Sequence, residues 1–195
     1  MLKERYGYST PIFEEDLNEQ EKESLSGLMS SGELFEYTDG VHYFPKRLLL
    51  GWSYPYPFLV ASRKFITDGE EVYGYVSGLS LLNQSGMSTQ MPNGYFMTSN
   101  KVSQNTEVKW KPLGRVWVTP SLVLITKENV NLLQFLDLAQ GFVPERICPT
   151  ERKCLIAFGK ELGVDWENLS PYFYLFPKAE ENLIKAGVKN EITQE

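Results

Sequence analysis

Leu34-Phe35-Glu36-Tyr37 and Val41-His42-Tyr43-Phe44 flank the short link Thr38-Asp39-Gly40. Both runs are rich in β-formers, and an Asp-Gly pair between two such runs is a strong hairpin signal. Pro45 closes the second run, because proline brings no N–H to a ladder. Upstream, Leu25, Leu28 and Met29 recur at helical spacing, and Gly32 is placed as a helix stop. Asn18 offers a turn or a cap ahead of that helix. Before it, Thr10-Pro11 predicts a short helix, with Thr10 as cap, Pro11 in the first turn, and Ile12, Phe13 and Leu17 on its buried side. Helix, turn, helix, hairpin is the order of a compact winged helix-turn-helix, assigned to residues 1–45.

Residues 46–60 read as a linker or packed loop. Gly51, Pro55 and Pro57 break regular structure there, while Trp52, Tyr54, Tyr56 and Phe58 tie it to a domain. A larger mixed α/β domain is expected over residues 61–195, making the whole chain α+β. Its expected strands are Tyr95-Phe96-Met97-Thr98, 106–110 and 115–119, with 71–76 a strand or a helix entry. Ser77 is placed as the cap of a helix through Leu79, Leu81 and Leu82, stopped by Gly86. Thr126 is placed as the cap of a helix from Glu128 to Gln140, whose apolar residues wrap most of its circumference and predict burial on several sides. Further helices are expected over 151–162 and 178–186, with a frayed tail from Val188.

The chain has 195 residues, 42% of them hydrophobic and 13% aromatic, enough to bury a core and too apolar for a disordered chain. No run approaches the ~18 apolar residues of a membrane span. Met1-Leu2-Lys3-Glu4-Arg5 lacks the apolar stretch of a signal peptide, so the expected location is the cytoplasm. Cys148 and Cys154 are too few for a disulfide framework and read as reduced structural thiols. Neither a metal site nor a cofactor is expected.

Charge is uneven. Residues 1–45 carry three bases against ten acids, residues 46–125 eight against four, and residues 126–195 eight against eleven. A nucleic-acid face belongs most naturally in the middle segment.

Catalytic patterns fail on spacing. Gly74-Tyr75-Val76-Ser77-Gly78 resembles a nucleophile elbow, but the serine stands one place late. The single histidine, His42, lies on the predicted hairpin, where it is an ordinary wing residue or a surface base for a phosphate. Glu70-Glu71 point to opposite faces of a strand, and Glu14-Glu15-Asp16 read as a solvated helix face. No phosphate-binding glycine loop is present, and the chain is not expected to be an enzyme.

The segment from Val72 to Asn93 (VYGYVSGLSLLNQSGMSTQMPN) resembles the central motif of AbiEi-family antitoxins of bacterial type IV toxin–antitoxin systems. Their pattern there is G-Y-x-S-G-L…N-x-x-G-x-[ST]-[ST]-Q-x-P-N. The matching positions are Gly74, Tyr75, Ser77, Gly78, Asn83, Gly86, Gln90, Pro92 and Asn93. Pro11-Ile12-Phe13, Gly40 to Pro45, and the run from Ile125 to Asp137 are similar too. The resemblance implies a winged helix-turn-helix that binds operator DNA and represses its own operon. It also implies a C-terminal domain that counteracts a nucleotidyltransferase-type toxin, directly or indirectly. The glycines serve tight turns and close packing on a purely structural reading, with Asn83 and Gln90 satisfying backbone groups.

Candidate DNA contacts are Lys22, Ser24 and Ser26 on the second helix, with Lys46 and Arg47 after the wing. Glu19, Glu21 and Glu23 surround Lys22, so the helix repels phosphates unless those acids turn away. The alternative function is a protein-interaction module that docks a partner through this acidic surface. A candidate basic face in the second domain comprises Arg63, Lys64, Lys101, Lys109, Lys111 and Arg115, near Trp110 and Trp117. The opposing reading is scattered solubilising charge. The sequence leaves oligomeric state open.

Overall fold

A computed structural model describes residues 2–110 and 114–192, and the chain divides into two units. The first comprises residues 1–63 with 109–114, and the second residues 64–108 with 115–195. The molecule is mixed α+β, with small sheets.

The first unit starts with α1 (Leu2–Tyr6), β1 (Ile12–Phe13) and a 3-10 turn (Glu14–Asp16). The helix expected from Thr10-Pro11 is thus replaced by a strand. Ile12 pairs with His42 and Phe13 with Val41, and fully buried Ile12 gains more from that ladder than a single helical turn returns. Then follow α2 (Glu19–Ser30), β2 (Phe35–Thr38) and β3 (Val41–Tyr43). Asn18 caps α2 through a capping box. Its Oδ1 accepts the Glu21 N–H at 3.0 Å, and its own N–H donates to Glu21 Oε2 at 3.1 Å. Gly32 ends the helix at φ +74°, and Gly40 closes the hairpin at φ +69°. The antiparallel sheet has the order β1-β3-β2. Leu2, Ile12, Leu17, Leu25, Leu34 and Phe44 form the core beneath it.

Residues 46–60, expected as a linker or packed loop, hold a short hairpin and a helix start around the irregular stretch 53–56. They form β4 (Arg47–Leu48), β5 (Gly51–Trp52) and the start of α3 (Pro57–Phe65). Gly51 folds into the hairpin because it adopts φ +131°, and Pro57 suits the first helical position. Leu49 and Leu50 form the tip, 100% and 98% exposed.

In the second unit, β6 (Gly74–Val76) leads into α4 (Gly78–Gln84) and β7 (Tyr95–Ser99). After β8 (Thr106–Trp110) and β9 (Gly114–Pro120), the sheet order is β6-β7-β9-β8, with β6 antiparallel and β9 parallel to β7. Next come α5 (Val130–Gly141), α6 (Pro149–Glu161), α7 (Trp166–Leu169), α8 (Ala179–Lys185) and α9 (Lys189–Ile192). Helix α5 is central, as its wrapped apolar pattern predicts, and packs on α4, β6, α7 and α8. Gly159 in α6 makes room for Phe135, whose ring would stand 2.9 Å from any added Cβ.

Two expected termini shift. Asn129, not Thr126, occupies the cap of α5, and its side chain turns back to the Thr126 N–H (2.8 Å) and the Leu124 carbonyl (2.9 Å). The tail is helical through α9, where Ile192 is 2% exposed. Arg152 pins the preceding turn by donating to the Ala186 and Gly187 carbonyls at 2.7 and 2.6 Å, which offsets the fraying expected of a polar end.

Candidate functional site

The motif from Gly74 to Asn93 divides into a buried half and an exposed half. Gly74 sits in β6 with the backbone of Phe65 and Thr98 so close that an added Cβ would lie 1.9 Å from the Phe65 carbonyl oxygen. Tyr75 is buried beside it and hydrogen-bonds Thr98. Ser77 is buried at the cap position of α4 but makes no side-chain cap bond. Its backbone N–H donates to the Phe96 carbonyl at 2.9 Å instead. Gly78 turns the chain into α4 at φ +52°, against the Phe96 ring. Asn83 Nδ2 donates to the Ser88 carbonyl at 3.3 Å, and Gly86 ends α4 at φ +75°, where a Cβ would meet Cys154 Sγ at 3.0 Å. These residues build the turn between β6 and α4 and its return.

The second half faces outward. Gln90 and Asn93 are exposed, Pro92 is half-buried, and Met91 is largely exposed. Gln90 donates its backbone N–H to Ser88 Oγ at 3.1 Å, which leaves its amide side chain outside the turn. Ser88 and Gln90 line one wall of a groove of about 460 Å³. Leu79, Leu82, Phe142 and Val143 line the rest, with Arg146 and Glu151 also present. Leu79 and Val143 expose large parts of their apolar surface there.

Behind the buried half lies a smaller cavity of about 190 Å³, lined by Tyr75, Thr98, Asp137, Gln140, Leu133 and Phe176 among others. Asp137 accepts a backbone hydrogen bond from Gly78. Burial pushes its carboxyl up to about 6, and the Gly78 bond opposes that shift. Burial also raises the Tyr75 phenol, helped by the nearby Asp137 charge, so this hydroxyl stays neutral. Sequence reading missed Asp137 and Gln140. The available signal was polar residues inside a helix too apolar to expose them.

In the first unit, the candidate contacts of α2 are already engaged. Lys22 Nζ pairs with Glu19 at 3.0 Å. Ser24 and Ser26 donate to the carbonyls of Glu21 and Glu23 one turn back. Lys46 and Arg47 are exposed at the base of the β4–β5 hairpin, where the Arg47 guanidinium stands 5.2 Å from the centre of the Trp52 ring. The structure therefore separates the five residues into a compensated helix face and a basic hairpin base.

The second set is divided between the two units. Arg63 belongs to the first unit and pairs with Asp16 (2.6 Å) and Glu15 (3.2 Å). Arg115, in the second unit, pairs with Glu107 at 3.4 Å and lies over Trp117. Lys101 stands 4.1 Å from the centre of the Tyr73 ring. Lys64 falls in the second unit and Lys109 in the first. Lys111 lies outside the described residues. Trp110 is buried and Trp117 stacks on Phe96 at 4.6 Å, so neither ring offers a free stacking platform.

His42 is 3% exposed, and its Nε2 lies 2.6 Å from Glu14 Oε1. This corrects the surface-base reading, because β3 turns the imidazole inward onto the turn after β1. Glu14, Glu15 and Asp16 are exposed on a 3-10 turn, where Glu15 and Asp16 pair with Arg63 and Glu14 reaches the His42 ring. Among the described residues no group of three His, Cys, Asp or Glu side chains is placed to hold a metal, and both cysteines are free thiols. No described helix is long and apolar enough to cross a membrane.

Comparison with known proteins returns no matching family model and no matching curated relative.

Proposed function

We propose that this chain is an AbiEi-like antitoxin and transcriptional autoregulator of the bacterial cytoplasm. The N-terminal unit is read as a winged helix that contacts operator DNA. The second unit is read as the part that counteracts a nucleotidyltransferase-type toxin. The observation that carries this reading is the chain order α1, β1, turn, α2, β2, β3 with a β1-β3-β2 sheet. The strand pairing suits a winged helix, in which the strand ahead of the recognition helix pairs with the last strand of the wing, while the 3-10 turn Glu14–Asp16 stands where the first helix of a helix-turn-helix belongs. The apolar groove bordered by Ser88 and Gln90 supports the second role, because it offers a partner both buried area and polar anchors.

One observation favours a second reading. Lys22 is neutralised by Glu19, and Ser24 and Ser26 are bonded to their own helix. On that reading α2 docks an acid-tolerant protein surface and DNA is not bound. The two readings separate in a binding assay on the duplex upstream of the gene, run against a scrambled duplex over a range of salt. Sequence preference that falls steeply with salt supports the regulator. Its absence supports the docking module.

A further inference from the structure

The hairpin of β4 and β5 is a narrow finger with an apolar end. Lys46 and Ser53 close its base: the Lys46 N–H donates to Ser53 Oγ at 2.8 Å, and the Ser53 N–H donates to the Lys46 carbonyl at 2.9 Å. Arg47 then pairs with Trp52 and Leu48 with Gly51, which carries the ladder to the tip. Aromatic contacts hold the base on the first sheet, with Trp52 5.8 Å from Phe35 and Tyr54 6.0 Å from Tyr43 between ring centres. Beyond that base Leu48, Leu49 and Leu50 are all exposed, and a run of exposed apolar residues marks a contact surface. Charge also sets the finger apart within the first unit. Arg5 pairs with Glu21, Lys22 with Glu19, and Arg63 with Glu15 and Asp16. Lys46 and Arg47 pair with no carboxylate among the described residues, and the sequence holds no acid from Gly40 to Thr67.

We propose that this finger dips into the surface of an anionic lipid bilayer without crossing it. The three leucines enter the acyl layer, Lys46 and Arg47 meet headgroup phosphates, and the half-exposed rings of Trp52 and Tyr54 sit at the boundary between them. Leu49 stands three residues beyond Lys46, about 10 Å along a strand at roughly 3.3 Å per residue. That reach matches the depth of about 5–10 Å to which interfacial elements sink. The ribbon bonds its own backbone across the ladder, so few polar groups are stripped of water at the tip. Both faces of the finger are exposed, and a fluid acyl layer surrounds such a shape, whereas a flat protein surface covers one face. A DNA major groove also admits a ribbon, but it sets the leucines against polar base edges. DNA binding makes no use of these leucines, so the lipid contact does not depend on the regulator reading. The ten acids of residues 1–45 oppose general attraction to an anionic surface, which leaves the finger as the determinant of binding.

The test is flotation of the full chain on liposomes of phosphatidylcholine with about 30 mol% phosphatidylglycerol, against pure phosphatidylcholine, at about 0.1 M salt. Binding should be several-fold tighter on the anionic liposomes, and Lys46→Ala with Arg47→Ala should remove that preference. Leu49→Ser with Leu50→Ser should weaken binding at least tenfold, since each leucine taken from water contributes about tenfold. Leu49→Phe with Leu50→Phe should keep it, because an acyl layer selects for apolar character and not for shape. The serine variant should bind duplex DNA as the wild type does, whatever that affinity is, so failure of the regulator reading leaves this test intact. No flotation of the wild type, equal flotation of the serine variant, loss in the phenylalanine variant, or a matching loss of duplex binding with the serines overturns the proposal.

Discussion

Asp137, in the middle of α5, accepts the backbone N–H of Gly78, the residue that turns β6 into α4. One hydrogen bond thus ties the central helix to the buried half of the motif. It comes with a buried carboxyl whose pKa is pushed up to about 6.

Stability should depend on that carboxyl in a defined direction. Its folded-state pKa is raised from 3.8, so the folded state holds the extra proton between about pH 4 and pH 6. The contribution of Asp137 therefore falls as pH rises through that window and is flat above it. The cost at neutral pH is on the order of 2–3 kcal/mol, since each tenfold change in proton affinity is worth ~1.4 kcal/mol. Urea unfolding of the wild type and Asp137→Asn from pH 4 to pH 8 measures it. The variant should gain relative stability as pH rises to about 6, and parallel curves would contradict the assignment.

Gly74→Ala tests the other side of the same turn. Its Cβ would stand 1.9 Å from the Phe65 carbonyl oxygen and 2.7 Å from that of Thr98, both backbone atoms that cannot step aside cheaply. A loss of about 3 kcal/mol or more in chemical denaturation is expected. Gly32→Ala, at φ +74° with open space around it, should cost only about 1 kcal/mol, because strain acts there without a clash.

Asn18→Ala removes the capping box of α2. The expected cost is about 1 kcal/mol, read as earlier loss of protection in hydrogen exchange at the start of that helix. Asn18→Asp should retain most of the cap.

Leu49→Ser with Leu50→Ser should leave thermal stability within about 0.5 kcal/mol of the wild type, because neither side chain touches the core. A larger loss would show that the hairpin tip is covered in solution.

The elements that sequence made legible carry strong local signals. Asp39-Gly40 fixes the β2–β3 hairpin, Gly32 and Gly86 stop helices, and the apolar circumference of α5 marks it as central. Ile12 and Phe13 misled because two residues in a strand and two in a helical turn look alike. Only pairing with Val41 and His42, about thirty residues on, decides between them. The β4–β5 hairpin was hidden for a similar reason, since Gly51 reads as a breaker until its partner Leu48 is known. Of the motif, the residues were visible but not their division, because which of them face outward depends on where Phe65, Phe96 and Cys154 pack. Asp137 and Gln140 escaped because the cavity joining them to Tyr75 and Thr98 is made by separate segments of chain.

The most direct test of the regulator reading is binding of the full chain to the duplex upstream of its gene, against a scrambled duplex, from low to moderate salt, with Lys46→Ala and Arg47→Ala alongside. A regulator should prefer the upstream duplex and weaken steeply with salt, and each basic residue removed should make the salt slope shallower by about one. Equal binding to both duplexes, or none at low salt, would contradict it.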